Sequence, residues 1–311
     1  MVLSLRTVLV GVFLLILFLS CAMMGLATPM QSAAHRPSLQ PTDTLDVLTY
    51  NVFLRAPDFL FFDRQRERVG LIPNLAQGYD VLILQEAFSD AHRQSLLQGL
   101  HAAYPFHTHV LGKDRWWKLN GGVIILSKWP IEAEAQHHFG ELCAGADCWA
   151  SKGVVYARIN KQGRRYHIFG THTQAEIKHR AIREQQLRRI RAFIDGFGIP
   201  STQPVLIGGD FNVDALSDAA DGAYTTMQQH LNATDPGARD ARKPVPTFDG
   251  LNNALVSLRV QEHLDYVLYA NTHLQPLSAF NEVLIFRVDE ADLSDHYAVH
   301  GHFLFERPEA D

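Results

Sequence analysis

An α/β body with mixed sheets is the fold class this sequence predicts. Short apolar, β-branched runs recur from Leu45 to Phe305 and read as strands. Stretches with helical spacing are interleaved with them rather than collected at one end. Val154 to Ile159 and Tyr166 to Thr171 flank Lys161-Gln162-Gly163 and read as a hairpin, which a purely parallel sheet does not contain.

The chain begins differently. Thr7 to Ala27 carries no charge, follows Arg6, and is rich in Leu, Val, Phe and Met. Gly25 and Ala27 are small residues placed for cleavage after Ala27, so residues 1–27 read as a secretory signal peptide. An uncleaved N-terminal membrane anchor of about 20 residues is one alternative. Lipoprotein processing at Phe18-Leu19-Ser20-Cys21 is another, with a poor fit at Phe and Leu. All three place the body outside the cytoplasm: secreted, periplasmic or at the cell surface. Residues 28–44 read as a flexible leader, because Met30 to Thr44 is rich in Ser, Pro, Gln and Ala and has no periodicity. No second composition break follows, so residues 45–307 are expected to form one domain.

Of 311 residues, 47% are hydrophobic and 20% charged, which suits a globular protein with a real core. The formal net charge of −5 gives no broad footprint for a polyanion, so nucleic acid is disfavoured as a partner. Beyond Cys21 the cysteines are Cys143 and Cys148. Export permits a disulfide between them, with two free thiols as the alternative. Two thiols alone do not make a metal site.

The elements follow in order. Leu45 to Val52 is a strand and Arg64 to Gln77 a helix, with Val69, Ile72 and Leu75 on one face. Val81 to Leu84 is a buried strand. Asp90 to His101 is a helix with Ser89 or Asp90 as its cap. Gly122 to Leu126 is a strand stopped at Trp129-Pro130. After the hairpin, Ile177 to Phe197 is the longest helix. Leu187, Ile190, Phe193, Ile194 and Phe197 form its buried stripe, and Lys178, Arg180, Arg183, Arg188 and Arg191 its solvated face. Val205 to Ile207 is a strand, Tyr224 to Leu231 helical, and Thr234 to Thr247 a loop. Leu264 to Leu268, Val283 to Val288 and Tyr297 to Phe305 are the closing strands.

Polar residues recur at one kind of place, the end of a short apolar strand. Asn51 follows Val47-Leu48-Thr49-Tyr50, Glu86 follows Val81 to Leu84, and His172 follows Ile168 to Thr171. Gly208 and Gly209 let the backbone turn sharply after Val205-Leu206-Ile207 and approach a ligand closely. Asp210 and Asn212, two apart on an extended segment, then face one site. Asp265 opens Tyr266-Val267-Leu268, and Asp295-His296 precede Ala298-Val299. Strand ends are where α/β proteins build sites. Any one of these residues has a bland structural reading. Together they meet the needs of phosphodiester hydrolysis. Glu86, Asn51 and a second carboxylate offer oxygens to a hard divalent cation. A histidine held by an aspartate can activate water. His172 and Asn212 can donate to the charged transition state.

The set Asn51, Gln85-Glu86, Gly170-Thr171-His172, Gly208 to Asn212, Leu264-Asp265-Tyr266 and Ser294-Asp295-His296 resembles the endonuclease/exonuclease/phosphatase superfamily, in its motif order. That resemblance implies a four-layer sandwich of two mixed β-sheets flanked by helices, the deoxyribonuclease-like fold, with the site at one end of the sheets. Gly121 to Ile131, Asp147 to Val154 and Thr171 to Glu176 look most like the bacterial neutral sphingomyelinases.

By position, the likeness implies Glu86 as the main Mg2+ ligand, with Asn51 nearby and Asp295 at the metal side or just behind the ligands. It implies His296 as the general base, Asp265 as the residue that orients it, and Asp210 as the carboxylate that positions water. Asn212 and His172 would bind the phosphate, with Lys152 beside the phosphoryl region. Mn2+ and Co2+ are the substitute cations. The implied partner is a membrane phospholipid, sphingomyelin, met in transient membrane-surface contact by a monomer. One element departs from the membrane-lytic relatives: Phe280 to Arg287 has apolar residues but no Trp pair. Trp116-Trp117 is another candidate interface element, with core packing as its alternative. A secreted nuclease of the same superfamily and a non-catalytic lipid-binding protein are the competing readings.

Overall fold

The computed structural model describes residues 42–56, 63–239 and 245–306. The signal, anchor and lipoprotein readings, the leader up to residue 41 and part of the loop after Thr234 lie outside the described residues. The chain begins with β1 (Thr42–Leu54), α1 (Gln65–Leu75), β2 (Val81–Ala87), α2 (Asp90–Leu100), β3 (Phe106–His107) and β4 (Ile124–Ser127). Next come β5 (Ile131–His138), β6 (Gly153–Lys161), β7 (Arg164–His172), α3 (Arg180–Asp195), β8 (Val205–Asp210), α4 (Asp218–Asp221) and α5 (Ala223–Leu231). The remainder is β9 (Ala233–Thr234), β10 (Phe248–Asp249), β11 (Gln261–Glu262) and β12 (Asp265–Ala270). It closes with β13 (Ser278–Leu284), β14 (Arg287–Val288), β15 (Ala291–Asp292) and β16 (Ala298–Glu306).

Two six-stranded sheets dominate, in the orders β13-β16-β1-β2-β4-β3 and β5-β6-β7-β8-β12-β9. Each is mixed. A parallel pair, β1–β2 or β7–β8, sits at its centre, and the other neighbours pair antiparallel. Strand alternation sends Leu45 and Val47 inward and Leu48 and Tyr50 outward. Between the sheets, Val47, Ile83 and Ile125 meet Val155, Ile168 and Val267. On the outside, Val69, Ile72, Leu96 and Leu100 of α1 and α2 cover Leu48 and Leu82. On the opposite flank, Leu187, Ile190 and Ile194 of α3 and Met227 of α5 cover Phe169 and Ile207. Each such side chain contributes about 1.5–3 kcal/mol by leaving water. The result is the four-layer sandwich that the motifs implied.

The glycines before Asp210 serve packing rather than a ligand. Gly170 and Gly208 are opposite each other on β7 and β8, and both face Ile83 of the other sheet. A Cβ on either would stand 2.7 or 2.6 Å from Ile83 methyl carbons. At Gly209 (φ 152°) a Cβ would meet Thr171 O at 2.0 Å.

Other boundaries moved for physical reasons. β1 starts at Thr42 because Asp43 and Thr44 pair with Phe305 and Leu304, so the leader's last residues belong to the sheet. The hairpin turn is two residues, Gln162 and Gly163, both with positive φ, as the strands' twist demands. β5 has no apolar run. Its Ile-Glu-Ala-Glu-Ala alternation marks an edge strand, half-buried on one face and exposed on the other. The α-helix from Arg180 ends at Asp195, and Phe197 lies beyond it with its ring 4.1 Å from Tyr156. Arg183 leaves the solvated face: it is buried and donates to Gln174 O and Glu176 O. Val283 to Val288 is not one strand. β13 stops at Leu284, so that Phe286 turns into the core against Tyr50.

Candidate active site

Parallel pairing brings Asn51 of β1 and Glu86 of β2 out at one end of the first sheet. It does the same for His172 and Asp210 in the second, which are direct partners. β12 and β16 run the other way, so Asp265, opposite Asp210, and His296, just before β16, return to that end. The two sheets touch there: Asn51 Nδ2 donates to Asp210 Oδ2 at 3.1 Å and to Glu86 Oε1 at 3.3 Å.

The backbone is strained where it turns into the site. Phe53, Glu86 and Asn212 have positive φ, and the register slips between Asn51 and Leu54. Such conformations cost about 1–3 kcal/mol each and persist where the surroundings over-determine them. The surroundings here are specific. Arg68 is buried and donates to Val52 O, Phe53 O and Leu293 O, while Ser294 Oγ donates to Asn51 O at 2.6 Å. Asn212 does not continue an extended strand. β8 ends at Asp210, whose Oδ1 accepts from Asn212 N at 2.9 Å, so a turn brings the two together. Asn212 Nδ2 then donates to Thr173 O.

His296 is buried, with Nδ1 2.8 Å from Asp265 Oδ2 and Nε2 3.7 Å from Asp210 Oδ2. The Asp265 bond fixes the tautomer and leaves Nε2 facing Asp210. Burial disfavours the imidazolium, but Asp265, Asp210 and Asp295 outweigh it and hold His296 well above its usual pKa. Thr247 Oγ1 accepts from both Leu264 N and Asp265 N and pins the start of β12. The Phe248 ring packs 5.1 Å from His296.

Opposite lies an acidic side. Burial, with Glu86 and Asp210, pushes Asp295 up to about 7, against the pull of His296 and Arg68. Burial and Asp265 push Asp210 up to about 7, against His296 and Lys152. Carboxylates that resist ionisation beside Glu86 call for a positive counter-charge. Glu86, Asp295 and Asn51 offer oxygen donors only, the set that suits a hard divalent cation, so the residues present fit one. Asn51 turns Nδ2 to the carboxylates and Oδ1 to Phe53 N. Ligation through Oδ1 requires that amide turned over.

His172 forms the third wall. Its Nε2 lies 3.0 Å from Lys152 Nζ and 3.4 Å from Asp210 Oδ2. Burial, Lys152 and His296 hold it well below its usual pKa, so it is neutral. Lys152 is itself buried. Besides His172 it meets Asp147 Oδ1 at 2.9 Å and Thr173 O at 2.8 Å, so its three protons are committed within the protein. Lys152 therefore braces His172 and has no proton left over for a ligand while these contacts hold. Asp147 sits in a one-turn 3-10 segment, Gly145–Trp149, inside the loop closed by the Cys143–Cys148 disulfide, and its Oδ2 accepts from Ala175 N.

Asp147, Thr247 and Arg68 are the supporting residues that sequence reasoning missed. Asp147 was legible in principle, being the one acid close to the single Lys of the Asp147 to Val154 stretch. Thr247 and Arg68 carried no local signal.

The chain matches the Endonuclease/Exonuclease/phosphatase family over residues 48–296. It is 35% identical over 294 residues to a Sphingomyelinase C of Leptospira interrogans, covering 83% of this chain and 51% of that protein. The chain thus spans about half the length of that relative. It is 34% identical over 280 residues to a Sphingomyelinase C of Bacillus cereus, covering 81% of this chain and 83% of that protein. A beta toxin mutant from Staphylococcus aureus, solved with bound magnesium ions, superposes with a TM-score of 0.72 at 28% identity. That superposition covers 85% of this chain and 100% of the toxin chain. Fold, strand-end residues and sequence agree: this chain belongs to the Endonuclease/Exonuclease/phosphatase family.

Proposed function

We propose that the chain is an exported, Mg2+-dependent sphingomyelin phosphodiesterase that releases phosphocholine and leaves ceramide. The observation that carries this reading is the buried His296–Asp265 pair facing Asp210 beside Glu86, Asn51 and Asp295. The sphingomyelinase names of its relatives support the substrate.

His296, in its neutral form, takes a proton from water at Nε2, and Asp265 holds the imidazolium that forms. Asp210, 3.7 Å from Nε2, positions that water for attack on phosphorus. Glu86, Asp295 and Asn51 would hold the cation, whose charge would offset that of the phosphoryl oxygens and lower the pKa of bound water. His172 and Asn212 contact the phosphate, with Lys152 keeping His172 neutral and in place. The bond from phosphorus to the ceramide oxygen breaks, that oxygen takes up a proton from solvent to leave as the ceramide hydroxyl, and the His296 imidazolium returns its proton to solvent.

Residues 45–307 are the catalytic domain and residues 1–27 direct export, a reading that rests on the uncharged N-terminal run and fits the Cys143–Cys148 disulfide. No helix among the described residues is long and apolar enough to cross a membrane. The protein acts as a monomer in transient contact with a membrane surface. Trp116, Trp149 and Trp117, exposed by 91%, 66% and 48%, support that contact, and core packing does not describe them. The Phe280 to Arg287 stretch is not an inserting hairpin: Phe280 stacks on His302 and Phe286 is buried.

Head-group release from sphingomyelin, phosphatidylcholine and plasmid DNA, each with Mg2+, tests the reading. Phosphocholine should appear from sphingomyelin and vanish with EDTA or Glu86→Ala. Plasmid nicking without lipid cleavage would replace it with the nuclease, and lipid binding without turnover with a non-catalytic binding protein.

A further inference from the structure

We infer that Asp46, His300 and His302 form a second metal site, for a borderline transition ion of the Zn2+ class, on the outer face of the first sheet. Asp46 of β1 lies directly opposite His302 of β16, and His300 is two residues earlier on the same face. Gly301 between them points into the sandwich, 2.8 Å from Phe303 and Val267 carbons for a notional Cβ. His300 Nε2 and His302 Nδ1 lie 2.8 and 2.7 Å from one and the same oxygen, Asp46 Oδ1. Two imidazole nitrogens and a carboxylate therefore converge on one point. The three side chains remain between 17% and 29% exposed, which leaves an entry path and room for a fourth ligand.

The rings are held from outside. Phe280 stacks on His302 at 5.0 Å, and Tyr79 packs on His300 at 5.0 Å. Glu282 of β13, opposite His300, adds a second carboxylate to the same face. Donors fixed before the ion arrives are what a metal site needs. The chemistry also differs from that of the catalytic centre. Imidazole favours Zn2+, Ni2+ or Cu2+, whereas the all-oxygen set of Glu86, Asp295 and Asn51 favours Mg2+. Without an ion, both imidazoles donate a proton to Asp46 Oδ1. Binding displaces those protons, so affinity falls with falling pH. The ion would tie β1 to β16 about 17 Å along the strand from Asn51. Those strands carry Asn51 and follow His296, so the tie would hold together the two walls of the catalytic end.

The test uses the chelator-treated full chain in excess Mg2+, titrated with Zn2+ or with Co2+ as a spectroscopic probe. One equivalent of Co2+ should give visible ligand-field absorption that Zn2+ abolishes. Zn2+ should shift the imidazole resonances of both His300 and His302 and raise the melting temperature. Glu86→Ala should keep all of this. His300→Gln and His302→Gln should each weaken Zn2+ binding by more than about tenfold, since losing even an outer partner of a ligand costs about 10–100-fold. Unchanged affinity in folded His302→Gln would overturn the inference. So would wild-type protein whose two imidazoles do not respond to Zn2+, a measurement that needs no variant to fold.

Discussion

His296 Nδ1 stands 2.8 Å from Asp265 Oδ2, with both side chains buried and the second Asp265 oxygen without a hydrogen-bond partner among the described residues. The pair sets both the tautomer and the basicity of the imidazole. Asp265→Asn should lower kcat by about 10²–10⁴. It should also move the acid limb of the pH–rate profile to lower pH, because the carboxylate that raises the His296 pKa is gone. An acid limb that stays in place under Asp265→Asn would remove His296 from the role of base.

The acidic side predicts a trade between stability and activity. A carboxyl whose pKa is raised on folding stabilises the chain fully below its unfolded pKa, and that contribution is lost as pH climbs through the folded value. With Asp295 and Asp210 both at about 7, the metal-free protein should weaken as pH rises from about 4 to about 7. Asp295→Asn should raise the metal-free melting temperature above pH 7 by about 2–4 °C while reducing turnover. Calorimetry in chelator across this range, beside an activity assay in Mg2+, reads both.

Gly208 and Ile83 couple the two sheets. Gly208→Ala should destabilise by about 1–3 kcal/mol, because its Cβ arrives 2.6 Å from Ile83 Cδ1. Ile83→Val removes that Cδ1 and should recover part of the loss. Denaturant melts of the two single variants and the double one measure the coupling, and strict additivity would contradict it.

The exposed indoles predict a split between binding and chemistry. Trp116→Ala with Trp117→Ala should weaken co-sedimentation with sphingomyelin vesicles. Turnover of a short-chain soluble substrate should stay within about twofold, since neither ring is placed at the reacting groups. Equal losses in both assays would point to a damaged fold instead.

How much of this was written in the sequence depends on range. Asn51, Glu86, His172, Asp210, Asp265 and His296 were legible because each follows or opens an apolar run, and strand ends collect at a sheet's edge. What they touch was less legible. The Asp210–Asn212 turn defeated the expectation of simple strand alternation, and Gly208 proved to make space for a residue of the other sheet. Thr247 pins Asp265, and Arg68 props Leu293, through contacts whose partners lie far away in the chain. β5 escaped because an edge strand half in water needs no apolar run.

Ser294 Oγ reaches Asn51 O across 243 positions. That contact closes most of the described residues into one loop, and non-local closures of this kind are slow to form. A chain folding from its N-terminus holds Glu86 and Asp210 well before it has His296. Under the proposed mechanism catalysis therefore switches on last, when β16 docks beside β1, and a chain cut short of that strand should stay silent however well its first half has folded.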